Sequence, residues 1–161
     1  MKNIAICFLT ALVLLATSGA EVSRGASFPN PKTFGVTGIL PSTKGKVVLY
    51  DFWASWCQPC RQAFPAYDRL YKKYKGQGLI VVGVGTDKKT KDSAGFLKRL
   101  SPSFPVIFDH SQRFVAKVGP KGMPTAYLVG KNGKVAFIHS GFRGAKTVKT
   151  IEAQIQVALK K

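Results

Sequence analysis

The segment Tyr50–Cys60, YDFWASWCQPC, decides the fold of this chain. It starts as an apolar run typical of a buried strand, but it includes Asp51, a residue type that strand interiors disfavour. It ends with two cysteines, Cys57 and Cys60, that are separated by two residues. Such a pair can form a structural disulfide, bind a metal ion or carry out redox chemistry, and the surrounding sequence helps to distinguish these roles.

Strands and helices alternate around this segment. The continuous apolar runs at 46–53 and 79–85 are typical of central parallel strands. A helix is predicted from the cysteines to about Tyr74, because apolar residues recur there at helical spacing. Shorter strands are predicted at 33–36, 104–108, 125–129 and 135–139, and further helices at 90–100, 111–118 and 146–160. With the hairpin signal Asn132-Gly133, this order predicts an α/β fold of three layers, α/β/α, whose mixed central sheet ends in a C-terminal antiparallel hairpin.

The first 20 residues have the composition of a secretory signal peptide. Lys2 precedes a short apolar run at 4–16, and the small residues at 18–20 provide a cleavage site. A retained membrane anchor is the alternative, but about 13 apolar residues are fewer than the roughly 20 that span a bilayer. We expect cleavage near Ala20 and one domain over 21–161, with a lead-in at 21–45. The predicted location is the periplasm or another extracytoplasmic space.

Export would leave two cysteines in the mature protein, because Cys7 lies inside the predicted leader. Cys57 and Cys60 would then form an even pair in an oxidising compartment. A bridge across so few residues closes a very short loop and stabilises the fold little. The cysteine count therefore favours chemistry over a structural disulfide.

The chain is strongly basic, with 25 Lys and Arg against 7 Asp and Glu. Loss of Lys2 with the leader would leave 24 basic against 7 acidic side chains, a net charge of +17. Such a charge predicts attraction to acidic proteins or anionic lipid head groups. Nucleic acid is excluded as a partner by the predicted export and by the lack of basic runs interleaved with exposed aromatic residues. We expect a monomer.

Several motifs resemble the thioredoxin fold. DFWASWCQPC resembles its active-site strand and turn, with W-C-x-P-C as the typical motif, and Pro65 stands where thioredoxins have a helix-kinking proline. GMPTAYLVGKNGKV resembles the cis-proline loop and hairpin of that fold, with Pro124 as the proline. The block at 86–109 resembles the βα insertion of the exported TlpA/ResA-like branch. This resemblance covers Val47 to the C-terminus and implies a thioredoxin-like thiol–disulfide oxidoreductase.

Two features differ from that branch. Asp51 stands where many of its members have a neutral residue, as in a thioredoxin. The segment KVGPKGMPT lacks the glutamate of the cytochrome-c-maturation reductases. A role in cytochrome c biogenesis is accordingly less well supported by the sequence than the redox activity itself.

The two cysteines are expected to differ in reactivity. A thiolate is the form that attacks a disulfide, and the positive end of a helix dipole at Cys57 would favour the thiolate. Cys60, one turn further into the helix, would be buried and would resolve the mixed disulfide. Asp51 shares a strand face with Trp53, and burial would raise its pKa towards a value suited to a general base for Cys60. The resemblance implies the same role, and an aspartate that caps a backbone group is the alternative.

The resemblance also implies a binding surface for clients. Pro124 would be cis, and Met123, Pro124 and Thr125 would meet an incoming peptide through the backbone of Met123. Trp56 would form an exposed apolar rim, whereas Trp53 would belong to the core.

Three residues are expected to tune the redox properties of the pair. Gln58 and Pro59 are the dipeptide between the cysteines, and Pro59 cannot donate a hydrogen bond to Cys57, which favours a reductase. Asp87 occupies the position of an acidic residue that approaches the cysteines in TlpA/ResA-like proteins, although a purely structural role at a strand end is open.

The sequence therefore predicts a protein-disulfide reductase that acts on oxidised client proteins, some of them acidic, and uses no cofactor beyond the Cys57–Cys60 disulfide. The resemblance implies re-reduction by a membrane thiol donor. A disulfide oxidase or isomerase is one alternative, and a non-catalytic binding module is another. A third is a Cu(I)-binding module that uses both cysteines with Met123, whereas zinc would require four ligands.

Overall fold

The computed structural model describes residues 21–161, so the predicted leader, with Cys7, lies outside the described residues. The strands are β1 (Thr37–Gly38), β2 (Val47–Trp53), β3 (Leu79–Gly85), β4 (Val106–Phe108), β5 (Thr125–Val129) and β6 (Val135–Ser140). The helices are α1 (Gln58–Tyr74), α2 (Thr90–Leu100), α3 (Arg113–Val118) and α4 (Ala145–Lys160). Within residues 21–161, none of these helices combines the length and apolar character needed to cross a membrane.

All six strands form one sheet in the order β1-β4-β3-β2-β5-β6. Strand β2 runs parallel to β3 and β3 runs parallel to β4, whereas β5 pairs antiparallel with β2 and β6 pairs antiparallel with β5. Strands β2, β3, β4 and β6 therefore end, and β5 begins, at the same edge of the sheet. We call it the carboxyl edge.

Strand β2 is central because both of its faces are covered. All seven of its residues are buried, which explains the continuous rather than alternating apolar pattern. Leu49 and Trp53 pack with α1, α2 and α4 on one face of the sheet. Tyr50 and Phe52 pack with α3 and the lead-in on the other. The predicted three-layer α/β/α fold with a C-terminal hairpin is thus confirmed.

Two glycines in β3 make room for the indole ring of Trp53. A Cβ atom at Gly85 would lie 3.0 Å from Cζ2 of Trp53, and one at Gly83 would lie 3.2 Å from its Nε1. The ring is fully buried and stacks on Phe96 of α2, with 4.4 Å between the ring centroids. The insertion helix α2 is therefore anchored to the central strand through Trp53.

The strand predicted at 33–36 is wrong. Pro31–Phe34 form a short 3-10 helix, and pairing with β4 begins only at Thr37. Proline is favoured in the first turn of a helix, where its missing N–H costs nothing. The side chain of Asn30 accepts a hydrogen bond from the backbone N–H of Lys32 and so caps this turn.

Candidate functional site

The two cysteines form a disulfide at the carboxyl edge, where β2 passes into α1. Cys57 is the N-cap residue of α1, and its Sγ accepts a hydrogen bond from the backbone N–H of Cys60 over 3.2 Å. Both residues are nearly covered, with exposed fractions of 2% for Cys57 and 0% for Cys60. The Sγ of Cys57 therefore lies at the positive end of a 17-residue helix that has no acidic residue in its first turn.

Asp51 is fully buried in β2, on the sheet face that packs against the cysteines. Neither of its carboxylate oxygens accepts a hydrogen bond from any described residue. Within the described chain, the alternative in which Asp51 caps a backbone group is therefore excluded. Burial without a partner penalises the charged form, and it holds the pKa of Asp51 well above the usual range of an aspartate.

Tyr67 borders this carboxyl group from the side of α1. It lies seven residues after Cys60, or two helical turns, and so faces the sheet from the same side of α1. Burial, and then the negative charge of Asp51, raise the pKa of the Tyr67 hydroxyl. Tyr67 is one of the apolar residues that recur at helical spacing in α1, but no local motif could reveal that it lies beside Asp51.

Asp87 holds the loop that leads to Cys57. Its Oδ2 accepts hydrogen bonds from the backbone N–H of Ser55 at 3.0 Å and from Ser93 Oγ at 2.9 Å. Its Oδ1 accepts hydrogen bonds from Ser55 Oγ at 3.0 Å and from the same backbone N–H at 3.2 Å. The carbonyl of Ser55 is bound as well, since Nη2 of Arg61 donates to it over 3.2 Å. Asp87 therefore connects the active-site loop with α2, a role that the sequence could not reveal because Ser55 lies 32 residues before Asp87 and comes close to it only through the pairing of β2 with β3.

The loop before β5 has the expected geometry around its proline. The peptide bond between Met123 and Pro124 is cis. The backbone N–H of Gly141 donates to the carbonyl of Pro124 over 2.7 Å, and the hydroxyl of Thr125 donates to the carbonyl of Gly122 over 2.7 Å. The fully buried side chain of Thr125 thus stabilises the loop, and it leaves only its backbone to contact a client. Met123 is half-buried.

The surface beside the disulfide is apolar at one point. Trp56, directly before Cys57, has an exposed fraction of 73%, which is unusual for a tryptophan. Gln58 is exposed and Pro59 is half-buried at the start of α1. An incoming protein would therefore meet the indole ring of Trp56 before it reached the sulfur of Cys57.

No set of three or more His, Cys, Asp or Glu side chains comes close enough to hold a metal ion anywhere in residues 21–161. The two thiol groups required for Cu(I) are joined to each other in this state. The site consists of a disulfide, a buried carboxyl group and a fixed loop, and its chemistry follows from those groups.

Comparison with known proteins agrees with this site. Residues 25–155 match the protein family described as Redoxin. The thiol-disulfide oxidoreductase ResA of Bacillus subtilis (strain 168) is 32% identical over 141 residues, which make up 84% of this chain and 79% of ResA.

Solved structures give the same result for the fold. A candidate thiol:disulfide interchange protein DsbE from Chlorobium tepidum has a TM-score of 0.76 and 37% identity, and the match covers 86% of this chain and 99% of that one. A thioredoxin family protein from Chlorobium tepidum TLS has a TM-score of 0.67 over 85% of this chain and 98% of its own. At 21% identity, the latter likeness concerns the fold alone.

Proposed function

Because this chain belongs to the redoxin family, as a thioredoxin-fold thiol–disulfide oxidoreductase similar to ResA, we propose that it reduces disulfides of client proteins outside the cytoplasm. The observation that carries the proposal is the position of Cys57 Sγ at the acid-free N-terminus of α1. That position stabilises a thiolate, the form that attacks a disulfide.

The proposed reaction starts from the dithiol form. The Cys57 thiolate attacks one sulfur of the client disulfide, which breaks that bond, forms a mixed disulfide and releases the other client sulfur as a thiolate. Cys60 then attacks Cys57 Sγ, which releases the second client sulfur and closes the Cys57–Cys60 disulfide. Two electrons pass from the enzyme to the client.

Asp51 is proposed as the base for the second step. Cys60 is buried and must lose its proton before it can attack. Asp51 lies on the same side of the sheet, has a raised pKa and has no hydrogen bond to break, so its ionised form can accept that proton. Met123, Pro124 and the Thr125 backbone, with Trp56, are proposed to hold the client during the exchange.

The reductive direction is supported by the dipeptide between the cysteines. Pro59 has no N–H, and a donor at that position would stabilise the Cys57 thiolate and make the pair a stronger oxidant. Export is supported by the leader-like composition of residues 1–20. Under this proposal a membrane thiol donor re-reduces the pair, and no cofactor other than the disulfide takes part.

The test is insulin reduction together with a measured reduction potential. We expect Cys57→Ser to abolish turnover and Cys60→Ser to accumulate a mixed disulfide with the client. We expect a potential closer to the roughly −270 mV of thioredoxin than to the roughly −120 mV of the oxidant DsbA. Normal turnover by Cys60→Ser would refute the assignment of roles, and a potential near −120 mV would indicate an oxidase.

A further inference from the structure

The three longest of the described helices begin at the carboxyl edge, where the disulfide lies. Helix α1 follows β2, α2 follows β3 and α4 follows β6, and all three of these strands end at the carboxyl edge. Each helix N-terminus carries a partial positive charge equivalent to about half an elementary charge. The carboxyl edge is therefore electropositive even before any side chain is considered.

Basic side chains add to this field at the helix ends. Lys88 and Lys89 directly precede α2, and Arg143 and Lys146 flank the start of α4; all four are exposed. We call these four residues the edge cations. A cation at a helix N-terminus opposes the dipole and lowers stability. Four such residues at two helix ends favour a functional explanation over a structural one.

Acidic side chains offset the charge of this edge only in part, since Asp87 and Asp109 follow β3 and β4 and Asp92 lies in the first turn of α2. The buried acidic residues are Asp51, Asp87 and Asp109. The ion pairs are Asp68 with Lys72, Glu152 with Lys73 and Glu21 with Lys121. That leaves Asp92, in the first turn of α2, as the exposed acidic residue for which residues 21–161 provide no partner. None of the edge cations forms an ion pair with a described residue.

The edge cations lie on both sides of the disulfide. In the sheet, β3 is the neighbour of β2 on one side, and β5 and β6 follow on the other. Lys88 and Lys89 therefore flank the Cys57 loop from the β3 side, and Arg143 and Lys146 flank it from the β6 side. Exposed Trp56 and the nearly covered Cys57 lie between them.

We propose that the edge cations bind an acidic segment of the client beside the disulfide to be reduced, an inference that rests on the proposed function. A client segment that presents its disulfide to Cys57 must pass between the two cationic flanks, and acidic residues on either side of its cysteines would meet them. An anionic membrane is the poorer fit, because a flat surface bound to both flanks would cover Trp56 and block the path to Cys57.

The experiment measures how fast the dithiol form of the protein reduces short synthetic peptides, each closed by one internal disulfide. Three peptides differ only beside their cysteines, where they carry glutamate, glutamine or lysine. At about 20 mM salt we expect the glutamate peptide to react at least about tenfold faster than the glutamine peptide. The advantage should shrink at about 200 mM salt, where the screening length is shorter.

Two matched variants localise the effect. One replaces the edge cations Lys88, Lys89, Arg143 and Lys146 with glutamate. The control replaces Lys32, Lys44, Lys46 and Lys134, which are exposed around the opposite edge of the sheet and change the net charge equally. The charge changes also alter the reactivity of the Cys57 thiol. For each variant we therefore divide the rate at which it reduces the glutamate peptide by the rate at which it reduces the glutamine peptide. We expect the ratio to fall to about one or below in the edge variant and to stay high in the control.

The outcomes separate the two proposals. If the glutamine peptide is not reduced at all, the reductase proposal fails. If all peptides are reduced at equal rates, or if both variants lose the preference equally, the reductase proposal stands and the edge-cation proposal is overturned. A third outcome is that the protein binds vesicles that contain phosphatidylglycerol, that the edge variant does not bind them, and that no peptide is preferred. This outcome would overturn the edge-cation proposal in favour of a membrane surface.

Discussion

At the scale of single residues, Asp51 is buried at the expense of stability, as expected of a carboxyl group that serves as the base in the proposed reaction. Its neighbours in β2 are apolar, and both of its oxygens lack a hydrogen-bond donor in the described chain. The sequence was sufficient to predict its burial, because a lone aspartate in a continuous apolar strand has no exposed face to occupy. It could not predict the proximity of Tyr67, which depends on how α1 packs on the sheet.

Asp51 gives a prediction for stability against pH. Its pKa is raised on folding, so the folded protein holds this proton more tightly than the unfolded chain. The contribution of Asp51 to the free energy of unfolding is therefore fully present below about pH 4, the usual aspartate range. It is lost at about 1.4 kcal/mol per pH unit from there up to the raised pKa. Asp51→Asn should lack this fall.

Guanidinium unfolding of the disulfide form at a series of pH values measures the difference. The depressed pKa values of Asp68 and Glu152 act in the opposite direction, but they are common to both proteins and cancel in the comparison. Parallel stability curves for the two proteins would show that the carboxyl group is not desolvated in solution.

The bonds of Asp87 give a second prediction at this scale. Asp87→Asn replaces one carboxylate acceptor with a donor that faces Ser55 or Ser93, and we expect a loss of about 1–3 kcal/mol in the free energy of unfolding. Exchange of the Ser55 amide hydrogen should become faster, because that N–H loses its carboxylate partner. Ser93→Ala is the matched control, since it removes the hydrogen bond to α2 and leaves the three hydrogen bonds from Ser55 to Asp87 intact. Equal amide exchange at Ser55 in both variants would contradict this assignment.

At the scale of elements, the pattern of apolar residues correctly predicted the helices and strands that bury one face or both. The buried runs of β2 and β3 and the apolar face of α1 were predicted nearly to their ends. The error at 33–36 arose from local capping around Pro31, which competes with strand pairing and has no periodic pattern. The hydrogen bonds from Ser55 and Ser93 to Asp87 could not be predicted either, because they join two loops and α2 through side chains that follow no periodic pattern.

The glycines of β3 give a prediction for an element. Gly85→Ala would place a methyl group 3.0 Å from the ring of Trp53, which is held in place by Phe96. Overpacking of this kind should lower the free energy of unfolding by about 1–3 kcal/mol.

Gly76→Ala provides the control, because a Cβ atom there would meet nothing within 4 Å. It should be neutral or should stabilise the protein by up to about 1 kcal/mol through the unfolded state. Chemical denaturation followed by tryptophan fluorescence compares the two variants. If Gly85→Ala is as stable as Gly76→Ala, Trp53 can move and does not fix the packing of α2.

At the scale of the whole molecule, the net charge was known from composition, but its placement was not. Burial and ion pairing take up six of the seven acidic residues, so most of the basic side chains in residues 21–161 have no acidic partner. Self-repulsion of such a surface destabilises the compact state, and added salt screens it.

We therefore expect the melting temperature to rise by a few degrees as NaCl increases from about 10 mM to about 500 mM. Thermal unfolding followed by circular dichroism measures this. The variant with glutamate at Lys32, Lys44, Lys46 and Lys134 should gain less from salt than the unchanged protein. A melting temperature that falls with salt would mean that attractive ion pairs outweigh the repulsion.

The direction of α4 has a practical consequence. The helix begins at the carboxyl edge, and its 16 residues lead away from that edge over about 24 Å. A resin, dye or sensor chip coupled near Lys160 would therefore hold the molecule by the end opposite its sulfurs. Immobilised in this orientation, the protein should keep its disulfide accessible to proteins in a flowing sample.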